Sequence, residues 1–201
     1  MTESLLNEFT TLFAVIDPVG TFPVFLAATA LHSKAESRKI AFRAALIAGL
    51  VLLFFALAGQ GLLEYLEIPL LVFQISGGVI LFMFALTMIF GESKPEDEIN
   101  HIEKKKDIAV YPIAIPSIAS PGAIMAIVLL TDTNRHSWDE QFVTIGLMLV
   151  VLGITLALML LAGWLKKIIG DSGATIISRI MGLLLAAMAA NFILSGLKEY
   201  F

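Results

Sequence analysis

Asp17-Pro18-Val19-Gly20-Thr21-Phe22-Pro23 interrupts an apolar run at residues 9–31, and Ser120-Pro121-Gly122-Ala123 interrupts another at residues 108–131. A capping residue followed by proline is how a helix begins: the cap accepts an orphan N–H, and proline has none to lose. In a bilayer such a start frees backbone groups that lipid cannot satisfy, so it is tolerated only inside protein or against a cavity. Whether these runs are membrane spans therefore decides the fold. Broken spans at corresponding points of two halves also point to a transporter's binding site.

The rest of the chain answers the first question. It has 201 residues, 58% hydrophobic and 15% charged, with a mean hydropathy of +0.91. Soluble domains carry roughly a quarter charged residues. No Asp, Glu, Lys or Arg occurs at 44–63, 68–91, 108–131, 142–165 or 180–197. Each run is long enough to cross about 30 Å of hydrocarbon at about 1.5 Å per helical residue. Residues 9–31 make a sixth, with Asp17 as their only charge. The expected fold is all-α: a single integral membrane domain over 1–201, with six transmembrane helices of which the first and fourth are discontinuous.

Other classes fit poorly. The first eight residues hold Glu3 and Glu8 but no Lys or Arg, unlike a cleaved signal peptide with its basic start. Absence of cysteine excludes disulfides, thiolate metal sites and a cysteine nucleophile. A net charge of −4 without a basic patch gives nucleic acid no footing. His32, His101 and His136 fall in expected loops, so no span offers paired metal ligands or a Ser-His pair. No catalytic residue, metal or cofactor is expected. Of the 13 basic residues, 11 fall in the loops after spans one, three and five: Lys34, Arg38, Lys39, Arg43, Lys94, Lys104, Lys105, Lys106, Lys166, Lys167 and Arg179. Only Arg135 and Lys198 lie on the other side, which places both termini outside.

The halves resemble one another. At an offset of 104, Gly49 falls on Gly153, Leu52 on Leu156, Leu57-Ala58-Gly59 on Leu161-Ala162-Gly163, and Gly78 on Gly182. At 103, Asp17-Pro18 falls on Ser120-Pro121. Three spans per half is an odd number, so repeats at about 1–91 and 108–201 are expected to be inverted in the membrane. The charged segment 92–107 joins them as a solvated cytoplasmic loop.

Two inverted half-helices beginning at Pro18 and Pro121 aim free N–H groups and positive dipole ends at one central region, which suits an anion such as a carboxylate. Pro112 and Pro116 unsettle the helix before Ser120, and Gly20 and Gly122 let backbone approach a ligand closely. Asp17 caps its half-helix; an additional role toward substrate, a proton or a coupling ion is left open by the residues. With Ser120 as an uncharged counterpart, the pair suits a zwitterion. The candidate substrate-binding set is Asp17, Pro18, Gly20, Thr21, Ser120, Pro121, Gly122 and Asn191. For Asn191, Thr87, Gln74 and Ser76 the competing role is hydrogen bonding between helices. Gly182, Ala186 and Ala190 form a small-residue ridge for close packing, and Trp138 and Trp164 read as interface anchors.

The stretch from Phe13 to Phe25, with its Asp-Pro-x-Gly-x-x-Pro core, resembles the signature of the MarC family of bacterial and archaeal inner-membrane proteins. Ile115-Pro116-Ser117-Ile118-Ala119-Ser120-Pro121-Gly122-Ala123-Ile124 resembles that family's second motif, and Arg179-Ile180-Met181-Gly182 its last span. Thr21 stands where members commonly carry Asn, and Ser120 where many carry Gly. The resemblance implies a distant relation to LysE-type exporters and, for some members, transport of small neutral amino acids such as glycine and alanine. It also implies a cytoplasmic (inner) membrane location.

The expectation is thus a multi-pass secondary transporter of small neutral amino acids, an exporter coupled to a proton or sodium gradient. Its partners are the amino acid, the ion, the lipid bilayer and, by self-association, a homo-oligomer; nucleic acid is not among them. The alternatives are a non-transporting scaffold or accessory subunit, which needs no broken helices, a membrane-embedded enzyme, and a channel.

Overall fold

A computed structural model describes residues 2–90 and 107–201, and all regular structure among them is helical. Most of the charged linker 92–107, with His101 and the lysines at 94 and 104–106, lies outside the described residues. The helices are α1 (Thr2–Ile16), α2 (Pro18–Ala28), α3 (Lys34–Tyr65), α4 (Leu70–Phe90), α5 (Ala109–Ile118), α6 (Pro121–Leu130), α7 (Trp138–Gly170) and α8 (Ser172–Tyr200). By length and apolarity five segments can cross a membrane: Leu5–Ala28, which joins α1 to α2, then α3, α4, α7 and α8. The α5–α6 pair, bent by 53°, makes a sixth.

Local chemistry sets the ends. Before α3, the Ser33 hydroxyl accepts Glu36 N at 3.3 Å while the Glu36 carboxylate accepts Ser33 N at 2.9 Å. Before α7, Ser137 and Glu140 repeat the exchange at 3.5 and 2.8 Å. These reciprocal caps stand 104 residues apart, the offset already seen between the halves. The link between α7 and α8 is shorter than the sequence implied: α7 runs through Lys166 and Lys167 to Gly170, and α8 starts at Ser172. Gly170, at φ 67° and ψ 176°, holds a conformation that only glycine takes readily.

The crossing of α4 and α8 is reciprocal. A Cβ on Gly78 would lie 2.8 Å from Ile193 Cγ1 and 3.2 Å from the Ala189 carbonyl. A Cβ on Gly182 would lie 2.9 Å from Ile89 Cγ1 and 3.0 Å from the Ala85 carbonyl. Each contact becomes the other when every residue is moved by 104 positions. Gln74 Nε2 secures the same crossing, donating to the Phe192 carbonyl at 3.0 Å and to Ser195 Oγ at 2.9 Å. Its role is the interhelical one. The packed ridge of α8 runs through Gly182, Leu185 and Ala189, whereas Ala186 and Ala190 are only half-buried. The ridge departs from the expected four-residue spacing of Gly182, Ala186 and Ala190 because a helix turns every 3.6 residues.

The broken spans occupy the middle. Along α3 a face of Ala41, Ala44, Ala48, Leu52 and Ala56 is buried, and its small side chains let α5 and α6 come close. Half-helix α6 buries Gly122, Ala123, Met125, Ala126, Ile127 and Val128, nearly its whole circumference. Large apolar side chains such as Phe42, Leu46, Leu50 and Phe54 point outward, as lipid-facing surface requires. Trp138 and Trp164 are exposed on α7, one at its start and one six residues before its end.

Candidate functional site: two helix breaks joined in the core

The first break turns on one residue. Asp17 sits in the left-handed region at φ 51° and ψ 65°, and its Oδ1 accepts Gly20 N at 2.9 Å. A following proline disfavours the right-handed helical conformation, and Asp tolerates the left-handed one better than most residues. The helical ladder reaches Asp17 from both sides: its N–H donates to Phe13 O at 3.0 Å and its carbonyl accepts Thr21 N at 2.9 Å. The gap is confined to residues 18–20, where Pro18 has no N–H and Gly20 N turns to the Asp17 side chain.

The second break is wider. Tyr111 and Ile115 are extended, each preceding a cis proline, Pro112 or Pro116. The irregular course expected from these prolines is present. Ala119 N reaches back five residues to Ala114 O at 2.8 Å, and Ser120 then caps α6 by accepting Ala123 N at 3.0 Å. Both expected half-helices therefore begin where the Asp-Pro and Ser-Pro pairs placed them. They end alike too, with Thr29 and Thr131 donating to carbonyls four residues back, at 2.7 Å each.

The breaks touch. Ser120 Oγ donates to the Val15 carbonyl at 2.9 Å, and Ser117 Oγ donates to Thr21 Oγ1 at 3.1 Å. In an unbroken helix Val15 O would receive the amide of Val19; here the serine of the other break takes it. Asp17, Thr21, Ser117 and Ser120 are all buried. No ion pair joins Asp17 to a cation among the described residues. The amides of Val19 and Gly122, second in their half-helices, are orphan donors of the kind every helix start leaves. Neither cap side chain takes them: Asp17 accepts Gly20 N and Ser120 accepts Ala123 N.

Asp17, Pro18 and Thr21 thus lie at one break and Ser120, Pro121 and Gly122 at the other, in contact. The glycines need a different explanation from the expected one. Room left by Gly20 is taken by the Asp17 carboxylate and Met88, and that left by Gly122 by the Leu81 side chain. They serve packing. Asn191 does not belong to the site: it is exposed on α8, on the side opposite Gly182, Leu185 and Ala189. Its position in a span was readable, but the rotation of that span was not. Ser117 and the Val15 carbonyl went unnoticed in the sequence. Ser117 had one signal, a hydroxyl one turn before a helix start; a backbone carbonyl has none. Thr87 and Ser76 are exposed as well.

Span-length helices enclosing two polar breaks define a polytopic helical membrane protein with a buried polar centre. The chain belongs to the MarC family of integral membrane proteins, which it matches over residues 2–201. It is similar to a UPF0056 membrane protein of Archaeoglobus fulgidus, 34% identical over 195 residues that cover 96% of this chain and 91% of the other. The UPF0056 membrane protein YhcE of Escherichia coli is 33% identical over 201 residues, covering 96% and 91%. A UPF0056 membrane protein of Buchnera aphidicola from Baizongia pistaciae is 30% identical over 191 residues, covering 94% of each. No solved structure matches the chain.

Proposed function

We propose that this protein is a secondary transporter of small neutral amino acids, an exporter driven by an ion gradient, with its substrate held between the two helix breaks. The observation that carries the reading is the Ser120–Val15 contact, which joins two helix starts inside the bundle. Two orphan amides next to one carboxylate without a cation match the two ends of a zwitterion. In this reading the substrate carboxylate meets the amides of Val19 and Gly122 and supplies an acceptor to each. Its ammonium meets Asp17, and Thr21 and Ser117 exchange their mutual hydrogen bond for bonds to the substrate. A proton or sodium ion on Asp17 in the empty state balances the charge between cycles.

Two further observations support an inverted-repeat transporter. Reciprocal packing of Gly78 and Gly182, and the matched caps at Ser33 and Ser137, give both halves the same parts at one offset. Asp17, Thr21, Ser117 and Ser120 are buried, and in this reading the substrate is admitted by movement of one half against the other. The 11:2 split of basic residues supports termini outside a cytoplasmic membrane.

Proteoliposome uptake of radiolabelled glycine and L-alanine, under imposed pH or sodium gradients, tests the reading. Wild type should accumulate at least one of them under one gradient. Asp17→Asn keeps a cap acceptor but loses the charge, so it should fold and lose most gradient-driven uptake. No uptake by folded wild type under either gradient would overturn the proposal, and undiminished uptake by Asp17→Asn at every pH would remove the charge from the mechanism.

A further inference from the structure

We propose that α8 is the interface of a homodimer in the membrane, closed by hydrogen bonds between the Asn191 side chains of two copies. This stands apart from the transport reading and does not depend on it.

Asn191 lies six residues inside the end of the charge-free run 180–197, about 9 Å below its edge at 1.5 Å per residue. That is too deep for headgroup water to solvate a short side chain. The amide brings two donors and an acceptor, yet it is exposed and makes no hydrogen bond among the described residues. Several other polar side chains in the spans are satisfied within the chain. Thr87, the counterpart of Asn191 at the 104-residue offset, is equally exposed but donates to Phe84 O at 2.7 Å. Thr10 donates to Leu6 O, and Gln74 bridges α4 to α8. The Asn191 amide therefore faces hydrocarbon unsatisfied unless its partner comes from outside the chain.

A second copy is the partner its surroundings fit. Two copies inserted the same way and related by a twofold axis along the membrane normal bring identical residues of parallel helices together. A carboxamide donates and accepts, so it is complementary to itself. Around it, Ile180, Leu184, Ala187 and Leu194 are exposed along one stripe of α8, at the alternating three- and four-residue spacing of a helix–helix seam. Ala187, one turn before Asn191, lets the backbones approach. A lone Asn in such a seam fixes its register.

The chain has no cysteine, so disulfide trapping reads the interface directly. Single variants Ala187→Cys, Asn191→Cys and Leu194→Cys are oxidised in native membranes beside Leu46→Cys, a lipid-facing control on α3. Dimers should form at the α8 positions and not at Leu46. Monomers at all three, or dimers as abundant at Leu46, would overturn the proposal. The association constant of purified protein, measured by single-molecule photobleaching in lipid, tests the amide itself. Asn191→Leu, which suits lipid and should fold, is expected to weaken dimerisation about 3- to 30-fold, and Asn191→Gln to retain it. Equal association of wild type and Asn191→Leu would overturn the role given to Asn191.

Discussion

The Ser120 hydroxyl donates to the Val15 carbonyl at 2.9 Å and accepts Ala123 N at 3.0 Å. One side chain thus satisfies an acceptor left over in α1 and a donor left over in α6. Ser120→Ala strands both in a buried place, at an expected cost of about 1–3 kcal/mol. Ser120→Thr keeps the hydroxyl and should cost less. Thermal unfolding followed by tryptophan fluorescence checks this; a Ser120→Ala protein that melts with wild type would show that the contact supports nothing.

The second link, Ser117 to Thr21, is between two side chains and so is open to a double-mutant cycle. Ser117→Ala and Thr21→Val each leave one hydroxyl unpaired, while the double variant leaves none. A coupling of about 1 kcal/mol is expected. Additive losses would mean the two hydroxyls do not depend on each other.

Packing of α4 on α8 predicts a matched pair. Gly78→Ala and Gly182→Ala would each press a methyl against a facing backbone carbonyl, so both should lose stability, by about 1–3 kcal/mol and by similar amounts. Gly153→Ala is the control: nothing lies within 4 Å of a Cβ there, and the gain in helix propensity should be about 0.5–1 kcal/mol. A loss at one glycine only would break the reciprocity.

Glu67 ends α3 in the left-handed region at φ 55°, with Ile68 N reaching back to Leu63 O at 2.9 Å. This is the helix stop that glycine usually provides. Glu67→Gly should therefore raise stability by about 1 kcal/mol, visible as a higher melting temperature without change in oligomeric state.

Orientation is tested by fusions at Phe201. Alkaline phosphatase, active only outside, should work there, and green fluorescent protein should stay dark. Bright fluorescence would reverse the orientation drawn from the basic residues.

Much of the fold was legible because its signals are local. Asp17-Pro18 and Ser120-Pro121 name their own helix starts, and Pro112 and Pro116 announce the irregular course of α5. The caps at Ser33 and Ser137 were legible as well, as Ser-x-x-Glu, though they sit outside the apolar runs that drew attention. What hydropathy does not encode is rotation. In an apolar helix a polar residue carries no mark of the face it occupies, so Gln74 on the packed side and Asn191 on the outer side look alike in sequence. Nor does a glycine reveal whether its space is kept for a ligand or filled by Leu81.

Because Gly78 sits against Ala189 and Ile193 as Gly182 sits against Ala85 and Ile89, the α4–α8 pair presents the same contacts from either end. Packing of this kind carries no vector. Turned over in the bilayer, the pair would fit as well as before, so its polarity rests on what the offset does not repeat: the distribution of lysine and arginine, and a carboxylate at 17 where the other half has a hydroxyl at 120. For a chain built this way, moving lysines and arginines between the loops, with the core untouched, is expected to shift the balance between the two ways of threading it.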